Sequence, residues 1–361
     1  MAGGSFKKDV HRPGSERYEA SVSKSRELMA GGKWVEAIAC LAEAVKLARQ
    51  ESRPDLEVQA YDLIGEALIK KGDGDKAEKY LVKALELATS KADQLGLAAT
   101  HKVFTHLGFH RGDRETAAKN LALMLEIAEK ADLDAYKGYA LVGLAHLAND
   151  AGDLYRAIDD FKQGIELLEK TEGAEAKHEL SKAYNGIADA METAGDHARA
   201  LTYYEKAKEG FLAENNRLGH ALAEVGVAEC CTRLGFIVRA MEQLETARAE
   251  LIKLIDDAGV GEVYRISGAL MTVQSNWAAA RTHLDKSVRL FSRDKTNPRF
   301  IIGLVRAHAE IGRMYYLKGE MEQGDAAFKT ARELSEKAGS KRLTDFVEKV
   351  YRDSLSKSLK K

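Results

Sequence analysis

The sequence predicts an all-α chain: a solenoid of about eight helix-turn-helix repeats closed by a C-terminal helix. Three observations carry this. First, a glycine recurs at Gly32, Gly72, Gly112, Gly152, Gly195, Gly235 and Gly319, with Ser275 in the one remaining slot. Second, five residues after each stands a small residue: Ala37, Ala77, Ala117, Ala157, Ala200, Ala240, Ala280 and finally Gly324. Four residues further on comes a large one: Leu41, Leu81, Leu121, Phe161, Tyr204, Leu244, Leu284 or Phe328. The small positions are spaced by 40, 40, 40, 43, 40, 40 and 44 residues, and eight copies at one period mark a repeat architecture. Third, there are 3 prolines in 361 residues, which suits a nearly continuous run of helices because proline breaks helix interiors.

Each copy reads as two helices. The glycine ends the first because it reaches φ > 0 without a Cβ penalty. An Asp follows at Asp73, Asp113, Asp153 and Asp196, placed to cap the second helix. The small residue lets the paired helices approach, and the large one shares its face and fills the space between them. The expected repeats are 18–57, 58–97, 98–137, 138–180, 181–220, 221–260, 261–304 and 305–340. An extension over 1–15, expected to be flexible, precedes them, and a capping helix over 341–361 with a basic end (Lys357, Lys360, Lys361) follows.

The Gly-Asp turn followed by a small and then a large residue resembles the tetratricopeptide repeat. Tyr61, Ile64 and Gly65, Tyr184, Ile187 and Ala188, and Ile311, Gly312 and Tyr315 match its first-helix pattern. The resemblance covers residues 16–340 and implies a right-handed superhelical solenoid whose first helices line a concave surface. The period is 40 rather than 34, so both helices should be longer. A further glycine opens the first helix at Gly96, Gly219, Gly259 and Gly303, preceded by Asp93, Asn216 and Asp256 in the first three. The run Asp93-Gln94-Leu95-Gly96-Leu97-Ala98 resembles the long repeats of the Pins/LGN adaptors, a style shared with rapsyn, kinesin light chain and some ciliary proteins. Departures are Lys24 and Ser25 in the first copy, Gly235-Phe236 in the sixth and Ser275-Asn276-Trp277 in the seventh. Insertions near 170–176 and 294–299 read as longer loops or changes of pitch.

Composition narrows the function. Lys+Arg is 55 and Asp+Glu 56, a net charge of −1, which argues against a dedicated nucleic-acid binder. Hydrophobic residues at 45% and charged at 31% give a folded globular chain. Three cysteines build no disulfide framework and suit a reducing compartment. No apolar signal segment, no Gly at position 2 and no long apolar run predict a cytoplasmic protein without membrane insertion.

Signs of chemistry are few. His101, His106 and His110 share one first helix, and His146 aligns with His106 one repeat on. Two histidines one turn apart can share a zinc ion only if further ligands converge, and no HExxH or CxxC accompanies them. Cys230-Cys231 is a vicinal pair whose members point about 100° apart, a buried-hydrophobe arrangement. Trp34 and Trp277 follow turns and read as packing residues. No Walker A, GxGxxG or GxSxG motif is present. No catalytic residue, cofactor or metal is therefore expected.

The resemblance places first-helix residues on the groove. These are Glu66, Lys70, Lys102, His106, His110 and His146, then Asn149, Asp150, Asn185, Asp189, Glu192 and Glu229, then Arg233, Arg265, Arg306, Arg313 and Tyr316. Their order gives an acidic middle and a basic end, able to fix the direction of a bound peptide. All of them are expected to face water in the unbound array. The expected function is a non-enzymatic scaffold or adaptor that takes a partner protein's extended peptide or helix in this groove. One alternative is a structural component of a cytoskeletal assembly, such as a ciliary axoneme or motor complex, docking on microtubules or motor subunits by its edges. Another is a ligand-gated regulatory repeat protein.

Overall fold

A computed structural model describes residues 14–359, so most of the N-terminal extension and Lys360–Lys361 lie outside the described residues. Among the described residues there are seventeen α-helices and no strand. They run α1 (Glu16–Ala30), α2 (Trp34–Gln50), α3 (Pro54–Lys71), α4 (Gly74–Ser90), α5 (Gln94–Arg111) and α6 (Arg114–Ala131). Then come α7 (Asp134–Ala151), α8 (Leu154–Glu169), α9 (Ala174–Ala194), α10 (His197–Ala213), α11 (Arg217–Leu234) and α12 (Ile237–Lys253). The last five are α13 (Asp257–Val273), α14 (Trp277–Phe291), α15 (Pro298–Lys318), α16 (Met321–Lys337) and α17 (Lys341–Ser358). None of these helices is long and apolar enough to cross a membrane.

The periodic residues do what their chemistry predicts. The seven repeat alanines from Ala37 to Ala280 have no solvent-exposed surface, and the large residues nine positions after each turn are buried. Large side chains press on glycines of neighbouring first helices: Leu81 on Gly65, Leu284 on Gly268 and Phe328 on Gly312 within a copy, and Leu121 on Gly143 and Tyr204 on Gly226 in the copy that follows. A Cβ at any of these glycines would collide with that side chain. The last copy breaks the alanine rule for the same reason, because the Tyr316 ring occupies the space a side chain at 324 would need.

The turns are left-handed throughout. Gly72 has φ 88° and Gly319 has φ 92°, and Ser275 adopts φ 58° in the slot where glycine is missing. A second left-handed position, unmarked by glycine, recurs in the inter-repeat turns at Ser52, Ala92, Asp132, Asn215 and Ile255. Asp113, Asp153 and Asp196 accept a backbone N–H in the first turn of the next helix. Asp73 departs from the expected cap: it makes no cap bond and pairs with Lys76 instead, at 2.7 Å. Asp93 and Asn216 accept from Gly96 and Gly219, whereas Asp256 caps nothing and pairs with Arg299. The inserted residues lengthen helices, since α9 and α15 each span 21 residues.

The chain folds as two compact units. The first runs through Leu147 and takes back Asp160–Glu179; the second holds Ala148–Asp159 and Leu180 onward. In the first, a continuous apolar core runs from Tyr18 and Leu41 through Ile64 and Leu81 to Leu107. In the second, α17 packs on α15 and α16 through Leu343 and Val347 against Val305, Phe328 and Ala331. Tyr316 belongs to that core, edge-on to Phe328 and Tyr351, and so is not the groove residue it was expected to be.

Ile255 is a β-branched residue held at φ 56° with its side chain 87% exposed, so nothing repays its backbone strain. Ile255→Asn, which copies Asn215 one repeat earlier, should raise the free energy of unfolding by about 1 kcal/mol in urea titrations. An unchanged or lower value would show that the turn is not strained.

Candidate functional site

The first helices supply the inner face of each unit, and the two inner faces differ. In the first unit they bound a cavity of about 550 Å³. Its walls are apolar where Val58 and Leu63 of α3 meet Leu95, Ala99 and Val103 of α5, with Tyr136 of α7 beyond. Charge enters from Arg26, Asp55, Asp62, Glu66, Lys102 and Glu175. Asp55 is held by Arg53 at 2.6 Å. Lys102, 8% exposed, pairs with Glu175 and lies over the Tyr139 ring, 4.4 Å from its centroid. Asp62 takes the Thr100 hydroxyl at 3.1 Å on Oδ2, while its Oδ1 has no hydrogen-bond partner. The Thr100 hydroxyl also lies 2.9 Å from the Gly96 carbonyl, and its one proton cannot serve both acceptors fully. Burial pushes the Asp62 carboxyl well above the usual range and raises Glu66 as well.

In the second unit the inner face is filled by its own ions. Arg265 is fully buried and grips Glu229 in a bidentate pair, at 3.0 and 2.7 Å. Its Nε donates to Glu262 at 2.7 Å. Arg306 reaches Glu229 at 3.0 Å and Glu192 at 3.5 Å. Arg233 pairs with Glu310 and approaches Glu229 at 3.4 Å, and Arg313 lies 3.7 Å from Glu310. Four glutamates thus meet four arginines. The α17 helix closes one side: Arg342 lies 3.6 Å from Asp150, and the Lys349 ammonium donates to the Thr193 carbonyl at 2.7 Å.

This corrects two expectations. Lys102, Asn149, Glu192, Glu229 and Arg265 are at most 9% exposed, so they do not face water. Nor do an acidic middle and a basic end stand apart along the chain. The arginines on α13 and α15 reach back over 36 and 77 residues to the glutamates and neutralise them. Long guanidinium side chains span the distance between neighbouring first helices, which a linear reading of charge omits. Burial alone would raise Glu229, but Arg265, Arg306 and Arg233 together hold it well below the usual range. Glu192 is lifted to about 7 by burial and then by Glu229.

The remaining predicted residues scatter. Asn185 donates to Asp189 at 3.2 Å, and Asp189 accepts the Tyr204 hydroxyl. Asn149 is buried with its Oδ1 unbonded. His106 is half-buried and His110 exposed, while His146 stands edge-on to Phe161 at 4.9 Å. Among the described residues no group of three or more His, Cys, Asp or Glu is placed to hold a metal ion. Cys230 and Cys231 are both buried. The sequence reading overlooked Asp62, Arg26, Tyr136 and Glu175. Asp62 stands 40 residues before Lys102, so the repeat register was the signal that could have found it.

Two measurements check the buried network. Arg265→Met, which strands Glu229, should cost about 3–5 kcal/mol of unfolding free energy, against under 1 kcal/mol if the pair contributes little. Glu192 has a folded-state pKa above its unfolded value of 4.5, so its stabilising proton is fully present below that pH and is lost as pH rises through about 7. Against Glu192→Gln, the wild type should therefore lose on the order of 2–3 kcal/mol between about pH 5 and pH 8 in urea titrations. A pH-independent difference between the two would contradict the shift.

Models of the tetratricopeptide repeat match residues 136–213 and 58–91. The Tonsoku-like protein of Bos taurus is 26% identical over 270 residues, covering 70% of this chain and 19% of that protein, so the chain spans about a fifth of that relative's length. Solved structures of similar fold include apo RapI, with a TM-score of 0.59 and 12% identity over 95% of this chain and 98% of that one. A Rap protein complexed with Competence and Sporulation Factor gives 0.62 and 15% over 84% and 86%. NprR in complex with its cognate peptide NprX gives 0.61 and 13% over 81% and 82%. At these identities the likeness is one of fold. None of these matches carries the finer likeness to Pins/LGN, rapsyn or kinesin light chain. Paired helices at a 40-residue period thus carry tetratricopeptide repeats over 58–91 and 136–213, and along most of the chain they take the fold of the solved tetratricopeptide-type solenoids.

Proposed function

We propose that the chain is a non-enzymatic protein-interaction adaptor that receives an extended peptide or helix of a partner protein on the inner face of its first helices, with the first unit as the receptor. The observation that carries this reading is the contrast between the two inner faces. One holds an open cavity of about 550 Å³ with apolar walls and charged edges, the kind of lining that combines affinity with orientation. The other has its arginines and glutamates paired internally. A solved protein of similar fold, NprR, was crystallised with its cognate peptide, which supports a peptide as the class of ligand.

A bound segment would lay apolar side chains against Val58, Leu95 and Val103 while its polar backbone kept to the charged rim. The test uses random peptides displayed on phage and selected on the full chain. Selected peptides should bind the wild type and lose about tenfold or more in affinity for Ala99→Trp, which fills the cavity, at unchanged melting temperature. Equal binding to that variant would move the receptor elsewhere. Selection of no peptide would remove the adaptor reading.

A further inference from the structure

Repeat register exposes a missing cation in the first unit. In the second unit Glu229 and Arg265 lie 36 residues apart on successive first helices, and their bidentate pair is buried. The same two slots in the first unit, again 36 residues apart, hold Glu66 and Lys102. There the lysine is drawn off: its ammonium pairs with Glu175 and sits over the Tyr139 ring. Glu66 is left without an ion pair among the described residues. One turn earlier on α3, Asp62 is 6% exposed, lines the same cavity and keeps Oδ1 without a hydrogen bond. A buried carboxyl with an unused acceptor is costly unless something completes it.

We propose that the cavity of the first unit is a receptor for an arginine side chain of the partner peptide, whose guanidinium pairs with Asp62 and Glu66 and takes the place that Arg265 fills internally in the second unit. This rests on the peptide-adaptor reading above. Two carboxyls one helical turn apart suit the guanidinium, whose planar fork carries five donors and can serve both at once. Val58, Leu63 and Val103 give the aliphatic stem an apolar wall. Both carboxyls sit above their usual range because burial disfavours their charge. An arriving cation would favour their ionised form. Arg26 at the rim and the paired Lys102 set the opposite bias, so a peptide with an acidic residue beside its arginine would fit the same mouth.

The experiment measures fluorescence anisotropy of the full chain with labelled peptide mixtures that differ in one fixed residue: arginine, lysine, leucine or citrulline, the uncharged near-isostere of arginine. The arginine mixture should bind roughly tenfold or more tighter than the citrulline mixture, with lysine between them. Asp62→Asn and Glu66→Gln should each erase that preference. Equal binding of arginine and citrulline mixtures, or a preference that survives both substitutions, would overturn the arginine site and leave the adaptor reading standing. Absence of binding in every mixture would bring down the adaptor reading and this inference with it. Should Asp62→Asn fail to fold, Glu66→Gln and the wild-type comparison of arginine with citrulline still decide.

Discussion

The contact on which everything else depends is the wedge between paired helices: a large second-helix side chain against a small first-helix residue. Leu284 on Gly268 and Phe328 on Gly312 show its tolerance, since a single methyl group at either glycine would strike the large side chain. Close packing of this kind sets the distance between first and second helix in each copy, and the left-handed turn sets their angle. The first-helix side chains that are not wedged are thereby free of any role within their own pair. They are what neighbouring repeats present to each other and to a ligand.

That freedom has two outcomes here. Where the free positions hold glutamate in one repeat and arginine in the next, the side chains find one another and the inner face closes on itself, as at Glu229 and Arg265. A buried cluster of this sort adds little net stability, because the desolvation of each ion offsets most of its attraction, but removing one member leaves another stranded. Where the free positions hold acid and a diverted lysine, as at Glu66 and Lys102, the face stays open. The same wedge and the same period serve both.

The fold was legible in the sequence because its determinants are local and repeated. A turn glycine, an alanine five residues on and a large residue four after that report a helix pair without any long-range information. The second set of left-handed positions was not legible, since Ser52, Ala92 and Ile255 share no side-chain property that marks such a backbone. The candidate site was legible in part. Lys102 and Glu66 followed from the resemblance to the repeat, but the fate of the charges did not, because pairing between Arg306 and Glu229 crosses 77 residues and depends on the reach of a flexible side chain. Reading charge along the chain separated groups that packing brings together.

Register is therefore the more informative coordinate for a chain of this kind. Counted from the repeat alanine, Asp62, Lys102, Asn185 and Arg265 occupy one slot, and Glu66, His106, Asp189 and Glu229 occupy another. Each slot varies in charge while the wedge residues beside it do not vary in size class, because burial against a fixed neighbour constrains volume and an inner-face position constrains only what the next repeat can pair with. An acid in the second slot is satisfied when the following repeat offers an arginine that has no better partner. When that repeat offers a lysine with a stronger claim elsewhere, the acid remains open. Whether an inner face binds or closes is thus decided by pairs of slots 36 residues apart, a separation short enough to read from sequence once the period is known.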